Sequence, residues 1–115
     1  MDNCVVAEQR NVISFAELAM GDRLVIQTSR STYVFTIQDP STRLGTLTGG
    51  SAVRLPSAYA VGAVSSTHAF WKGGLRVGER AVFVGPVVSV TDSSSRFVTS
   101  VVQAIQVHWR TRRVA

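Results

Sequence analysis

The chain has 115 residues, 45% of them hydrophobic, and a formal net charge of +5. That composition suits one globular domain burying about two-thirds of its unfolded surface, and it argues against a disordered chain. No run reaches the ~18 apolar residues of a membrane-spanning helix, and a single cysteine, Cys4, excludes an internal disulfide and a cysteine metal set.

Residues 1–12 lack periodicity and are expected to form an edge strand or a loose terminus, with Cys4 a free thiol within it. Met1-Asp2-Asn3 places an acid where a secretory leader has positive charge, so the expected location is cytoplasmic, with no membrane partner. Ser14-Phe15-Ala16-Glu17 has the form of a capping box, and Ile13 and Leu18 occupy the positions of a hydrophobic staple. Gly21 then suits a left-handed residue that ends a helix. About six residues between cap and glycine are too few for a helix stable by itself. One helical turn closing an end of a β core is the expectation.

Alternation follows. Leu24 and Ile26 share one face of a strand over Arg23–Ser29, and Tyr33, Phe35 and Ile37 share one face of Thr32–Gln38. Period-two patterning in β-branched and aromatic residues marks half-buried strands, and the short polar link between them predicts an antiparallel hairpin that Pro40 ends. Arg43–Thr48 and Ser51–Leu55 are the next strands, divided by Gly49-Gly50 and stopped at Pro56. Ala58–Val64 reads as a strand broken by Gly62, and Ser65–Gly74 as a loop with two large aromatics. Glu79–Val84 and Val87–Thr91 are strand segments around Gly85-Pro86, and Asp92–Ser95 is a hairpin loop. Arg96–Trp109 is the longest strand pattern, with Phe97, Val101, Ile105, Val107 and Trp109 on one face. At fourteen residues it exceeds the usual 3–10, as bent strands shared by two neighbours in barrels do. Arg110–Ala115 is a basic, loose tail.

Leu18–Ile26 and Leu75–Phe83 match in leucine, glycine, acid, arginine and valine at an offset of 57 positions. The match raises a duplicated half-barrel, although a glycine–acid entry is a common way to begin a strand. The expected fold is a single mostly β domain over 1–115. It would be a small antiparallel barrel (SH3-like, OB-like or duplicated half-barrel) of about seven strands with one short N-terminal helical turn.

The positive charge consists of eleven arginines and one lysine, Lys72. Arginine favours bidentate phosphate and carboxylate contacts, which points toward nucleic acid. Yet the arginines are scattered, and setting aside the clustered Arg110, Arg112 and Arg113 takes the charge from +5 to +2. No nucleophile elbow, His-x-x-x-His or phosphate-binding loop is present, so no catalytic residue, metal or cofactor is expected. Two clusters suit binding. His68, Phe70, Trp71, Lys72 and Arg76 place aromatics beside cations, as base stacking with phosphate contact requires. His108 and Trp109 lead into Arg110, Arg112 and Arg113, a basic terminus suited to nucleic acid or an acidic partner. Architectural roles compete: Phe70 and Trp71 can close an open barrel end, and a basic terminus can serve solubility.

The stretch Gly21–Phe35 resembles a family of small uncharacterised bacterial β-rich proteins. These have a Gly-Asp turn followed by a hairpin carrying Thr-x-x-Ser-x-Tyr, and Thr28, Ser31 and Tyr33 fill those places here. The resemblance implies a compact β domain and carries no activity. The leading expectation is a non-enzymatic binding or interaction module that pairs with a protein or with itself through valine-rich edges such as Val87–Val90. Nucleic-acid binding through the loop and tail is the alternative, and a small-molecule or enzymatic site near His68 is the second.

Overall fold

A computed structural model describes residues 5–50, 53–85 and 96–110, and the side chains of all of these but 5, 6 and 53–56. Among the described residues the chain forms strands β1 (Val5–Arg10), β2 (Val12–Ser14), β3 (Arg23–Thr28), β4 (Thr32–Asp39) and β5 (Leu44–Gly49). There follow β6 (Val53–Val64), β7 (Phe70–Trp71), β8 (Gly74–Arg76), β9 (Arg80–Val84) and β10 (Arg96–Arg110). Six of them, β10-β3-β4-β5-β6-β9, close into an antiparallel barrel, since β9 pairs with both β6 and β10. β1 lies against β10 on the edge opposite β3. β2 and β8 form a separate pair, and β7 extends the second half of β6.

The barrel interior is the face that alternation selects. Leu24 and Ile26 of β3, Tyr33, Phe35 and Ile37 of β4, and Leu47 of β5 are buried in one core with Ala81 and Phe83 of β9. The Phe35 and Phe83 rings pack across it at 5.2 Å between centroids, and Tyr33 meets Phe97 edge-on at 5.5 Å. Ile13 and Leu75, paired between β2 and β8, close one end together with Phe15 and Leu18.

That end depends on local chemistry. The helical turn is a 3-10 turn at Phe15–Glu17; the Ser14 hydroxyl accepts from the Ala16 amide at 3.3 Å, and the Glu17 carboxylate accepts from the Ser14 amide at 3.1 Å. Such caps contribute about 0.5–2 kcal/mol. Gly21 does have positive φ (91°), but the 3-10 turn has already ended at Leu18. The glycine serves a second turn, in which the Asp22 amide donates to the Ala19 carbonyl at 3.0 Å.

Of the two expectations for the N-terminal residues, the edge strand forms at 5–10, paired with β10. Other expectations change. Arg110 ends β10 rather than beginning a loose tail, and the expected loop Ser65–Gly74 contains the short strand β7. Val53–Val64 is one strand: Pro56 does not stop it, because the β5–β6 register shifts there, and a bulge accommodates a residue without an amide donor. Gly62 does not break it either, but lies at the shift in the β6–β9 register, where any Cβ would collide with the Trp71 backbone. In β10, shifts at Val98–Val101 and Val102–Ala104 reset the alternation, so Thr99 and Val102 face inward and Val101 turns out at 38% exposure. The expected strand Val87–Thr91, loop Asp92–Ser95 and cations Arg112 and Arg113 lie outside the described residues.

The echo between the two halves has a structural counterpart. Gly21 donates to Ile37 O and Ile37 N donates to Asp22 O, both at 2.9 Å; Gly78 donates to Val102 O at 2.8 Å and Val102 N to Glu79 O at 2.9 Å. Asp22 N to Ala19 O is likewise repeated by Glu79 N to Arg76 O. Gly21 and Gly78 have φ of 91° and 95°. One turn therefore starts both β3 and β9 and locks each to its hairpin partner.

Candidate functional site

β10 bends where it leaves β9 for β3, and the tip of the β3–β4 hairpin sits beside that bend: the Ser29 amide donates to Val101 O at 3.2 Å. The tip is fixed by Thr28, whose hydroxyl donates to Ser31 O at 2.9 Å and accepts from the Arg30 and Ser31 amides. Thr28, Ser31 and Tyr33, the spacing behind the family resemblance, thus have local work in turn and core. Arg30 is left exposed at the apex.

Between this tip and the first half of β10 lies a cleft of about 580 Å³, walled by Ser29, Arg30, Ser31, Arg80, Val98 and Ser100. Tyr33 and Phe97 also line it. Arg80 and Val101 are shared with a second cleft of about 460 Å³ that also contains Ser65, Ser66, His68 and Glu79. Val64 and His68 are shared in turn with a third, of about 490 Å³, bounded by Val61, Phe70, Val82, Val84 and Arg96. The shared residues place the three clefts side by side, as a row here called the trough, along the outside of β9 and the β10 bend.

Its charge is mainly positive. Among the described residues, no carboxylate lies within ion-pairing distance of Arg30, Arg80 or Arg96, whereas Arg10 pairs with Glu8 and Glu17 and Arg76 with Glu79. The Glu79 Oε1 atom is buried and has no hydrogen-bond partner among the described residues.

His68 occupies the junction of two clefts at a conformational cost. The β6–β7 connection is a tight hairpin in which Ser65 N donates to Ala69 O and His68 N to Ser65 O, both at 2.9 Å. Such three-residue loops need a left-handed residue, usually glycine. His68 takes that role at φ 67°, a strained placement of the kind that concentrates at functional positions. Ser65 is committed within the loop, its hydroxyl accepting from the Thr67 and Ala69 amides at 3.3 and 3.1 Å. Among the described residues the imidazole has no hydrogen bond to Ser65, Ser66 or Glu79, so no nucleophile–base pair is assembled here.

The first expected cluster divides. His68 and Phe70 border the trough, and Phe70 is 48% exposed. Trp71 and Arg76 face each other instead, the guanidinium 4.1 Å from the indole centroid. Gly73 makes room for the ring, since a Cβ there would meet it at 2.9 Å. Lys72 is exposed, and its carbonyl accepts from Arg43 at 3.0 Å while the Arg43 guanidinium lies over Phe15. In the second cluster, Trp109 donates to Glu8 at 2.9 Å and His108 bonds Gln106 at 3.0 Å. The amide of Arg110 donates to Asp22, and its side chain runs over Gly21.

Sequence reasoning missed Arg30, Arg80 and Arg96. Their grouping depends on β10 bridging β9 and β3, and each arginine stands alone in the sequence. Flanking of turns and strand ends by arginine was the available signal.

Among the described residues no group of three or more histidine, cysteine or carboxylate side chains is placed to hold a metal, and no helix is long and apolar enough to cross a membrane. No family model matches the chain, and neither curated proteins nor solved structures give a significant match.

Proposed function

We propose that the protein is a non-enzymatic binding module that holds an extended anionic ligand in the trough around the β10 bend. One observation carries the reading: Arg30, Arg80 and Arg96 line adjoining clefts without a carboxylate in pairing range among the described residues. Unpaired guanidinium groups beside serine hydroxyls suit charge-assisted hydrogen bonds to phosphate or carboxylate. Trp71 and Arg76 support the trough by holding the β7–β8 turn.

The test is binding of inorganic polyphosphate at low ionic strength, followed against salt. Affinity should fall steeply with salt concentration as counterions are released. The Arg30→Ala/Arg80→Ala double variant should lose most of it while melting like the parent. No binding at low salt, or undiminished binding by the variant, overturns the reading.

A second reading, self-association, is favoured by β1, which among the described residues is paired on one side only, by β10. Free strand edges are ready sites for pairing with another chain. Sedimentation velocity over a wide concentration range distinguishes the two, because a strict monomer contradicts pairing through β1 and leaves the trough untouched. The valine-rich segment Val87–Val90 lies outside the described residues and lends no support here.

A further inference from the structure

Resting on the reading of the trough as an anion groove, we infer that its occupant is a single-stranded nucleic acid. One base would lie against Phe70 in the apolar cleft, and phosphates would lie along Arg96, Arg80 and Arg30.

Two features separate this occupant from other polyanions. The first is the cleft at the Phe70 end. Val61, Val64, Val82 and Val84 give the cleft an apolar lining, which Phe70, His68 and the exposed Arg96 complete. Phe70 is nearly half exposed although its backbone is held by pairing with Val64. Among the described residues its ring stacks on no other ring. A fixed, uncovered aromatic beside a cation is what an unpaired base needs on its face and its phosphate. A duplex keeps its bases stacked inside and has none to insert, whereas an acidic peptide would satisfy the arginines and leave the apolar lining wet.

The second feature is spacing. Arg96 pairs with Val84, and Arg80 pairs with Val101, five residues further along β10. At 3.2–3.4 Å per residue the backbone attachment points of the two arginines lie roughly 15 Å apart. Arg30 lies beyond, across the next cleft. Cations distributed over that length suit the repeating phosphates of a strand several nucleotides long, within the range one small barrel covers. The serines in the wall, Ser29 and Ser31, add uncharged donors without base preference, so weak sequence dependence is expected.

The experiment compares three fluorescent probes at low salt: an oligothymidylate of about a dozen nucleotides, an abasic strand of equal length, and a polyglutamate peptide of equal charge. Oligothymidylate should bind roughly tenfold or more tightly than the abasic strand, the value expected of one stacked base. Phe70→Ala should remove that difference and leave abasic binding unchanged, and Phe70→Tyr should preserve it. Arg96→Ala should weaken both strands and lower the slope of log affinity against log salt by about one. Circular dichroism melting establishes that each variant is folded. Equal binding of the two strands overturns the base subsite while the anion groove stands. Polyglutamate binding as tightly as oligothymidylate overturns it in favour of an acidic peptide. Binding of none of the probes removes the anion groove itself.

Discussion

The carboxylate of Asp22 accepts the backbone amide of Arg110 at 2.8 Å, joining the entry of β3 to the last residue of β10. Its other oxygen accepts the Ala19 amide at 2.9 Å, and the side chain is fully buried. Removing an acceptor from buried donors costs about 1–3 kcal/mol for each group left unpaired. Asp22→Ala is therefore expected to destabilise the fold by about 2–4 kcal/mol, measured by urea denaturation. Asp22→Asn, which keeps one acceptor, should fall between.

Gly21 and Gly78 offer a paired test of the repeated turn. A Cβ on Gly78 meets nothing within 4 Å, so Gly78→Ala reports the cost of positive φ alone, about 1–2 kcal/mol. At Gly21 the same Cβ would come within 2.6 Å of the flexible Arg110 Cδ. Gly21→Ala should cost slightly more, and Arg110→Ala in the same chain should remove the excess. A double-mutant cycle read from denaturation midpoints checks this.

His68→Gly should leave the protein unchanged or up to about 1 kcal/mol more stable, because glycine takes the left-handed conformation freely but loses more entropy on folding. The same substitution removes the side chain shared by two clefts and should weaken oligonucleotide binding. Thermal melts and binding isotherms on one preparation test the trade, and lower stability in the glycine variant would contradict the strain at this position.

Asp39 gives a pH prediction. The Ser41 hydroxyl and the Ser41 amide donate to its carboxylate at 2.7 and 3.1 Å and hold its pKa below the ordinary 3.8. A depressed carboxylate contributes to stability above its unfolded pKa and loses that contribution as pH falls through its folded value. The turn bonds should thus be intact at neutral pH and weaken only below pH 3.8. NMR titration should place the midpoint lower than 3.8, and Ser41→Ala should return it toward that value.

The β3–β4 hairpin was legible because Leu24, Ile26, Tyr33, Phe35 and Ile37 recur at every second position in segments rich in β-branched and aromatic residues. The capping box and the turn at Gly21 were legible because few residue types perform those tasks. The inward face of β10 was not, since two bulges shift its period and local composition carries no mark of a bulge. Pro56 misled for the same reason. The trough is further from the sequence still: Arg30 and Arg80 meet only because one strand pairs with both halves of the chain.

That shared strand also orders events during synthesis. Glu8 and Trp109 bond across 101 positions, and β1 has no strand partner but β10 among the described residues. The β3–β4–β5–β6 meander can assemble as it emerges, because each strand follows its partner by a short connection. Ring closure must wait until β10 has emerged through His108, the last of its residues paired with β3. Until then the inner faces of β3 and β9 stay exposed, and contacts of such long range slow folding. A nascent chain stalled a few residues before Arg110 should be readily cleaved by protease, and the released chain should resist.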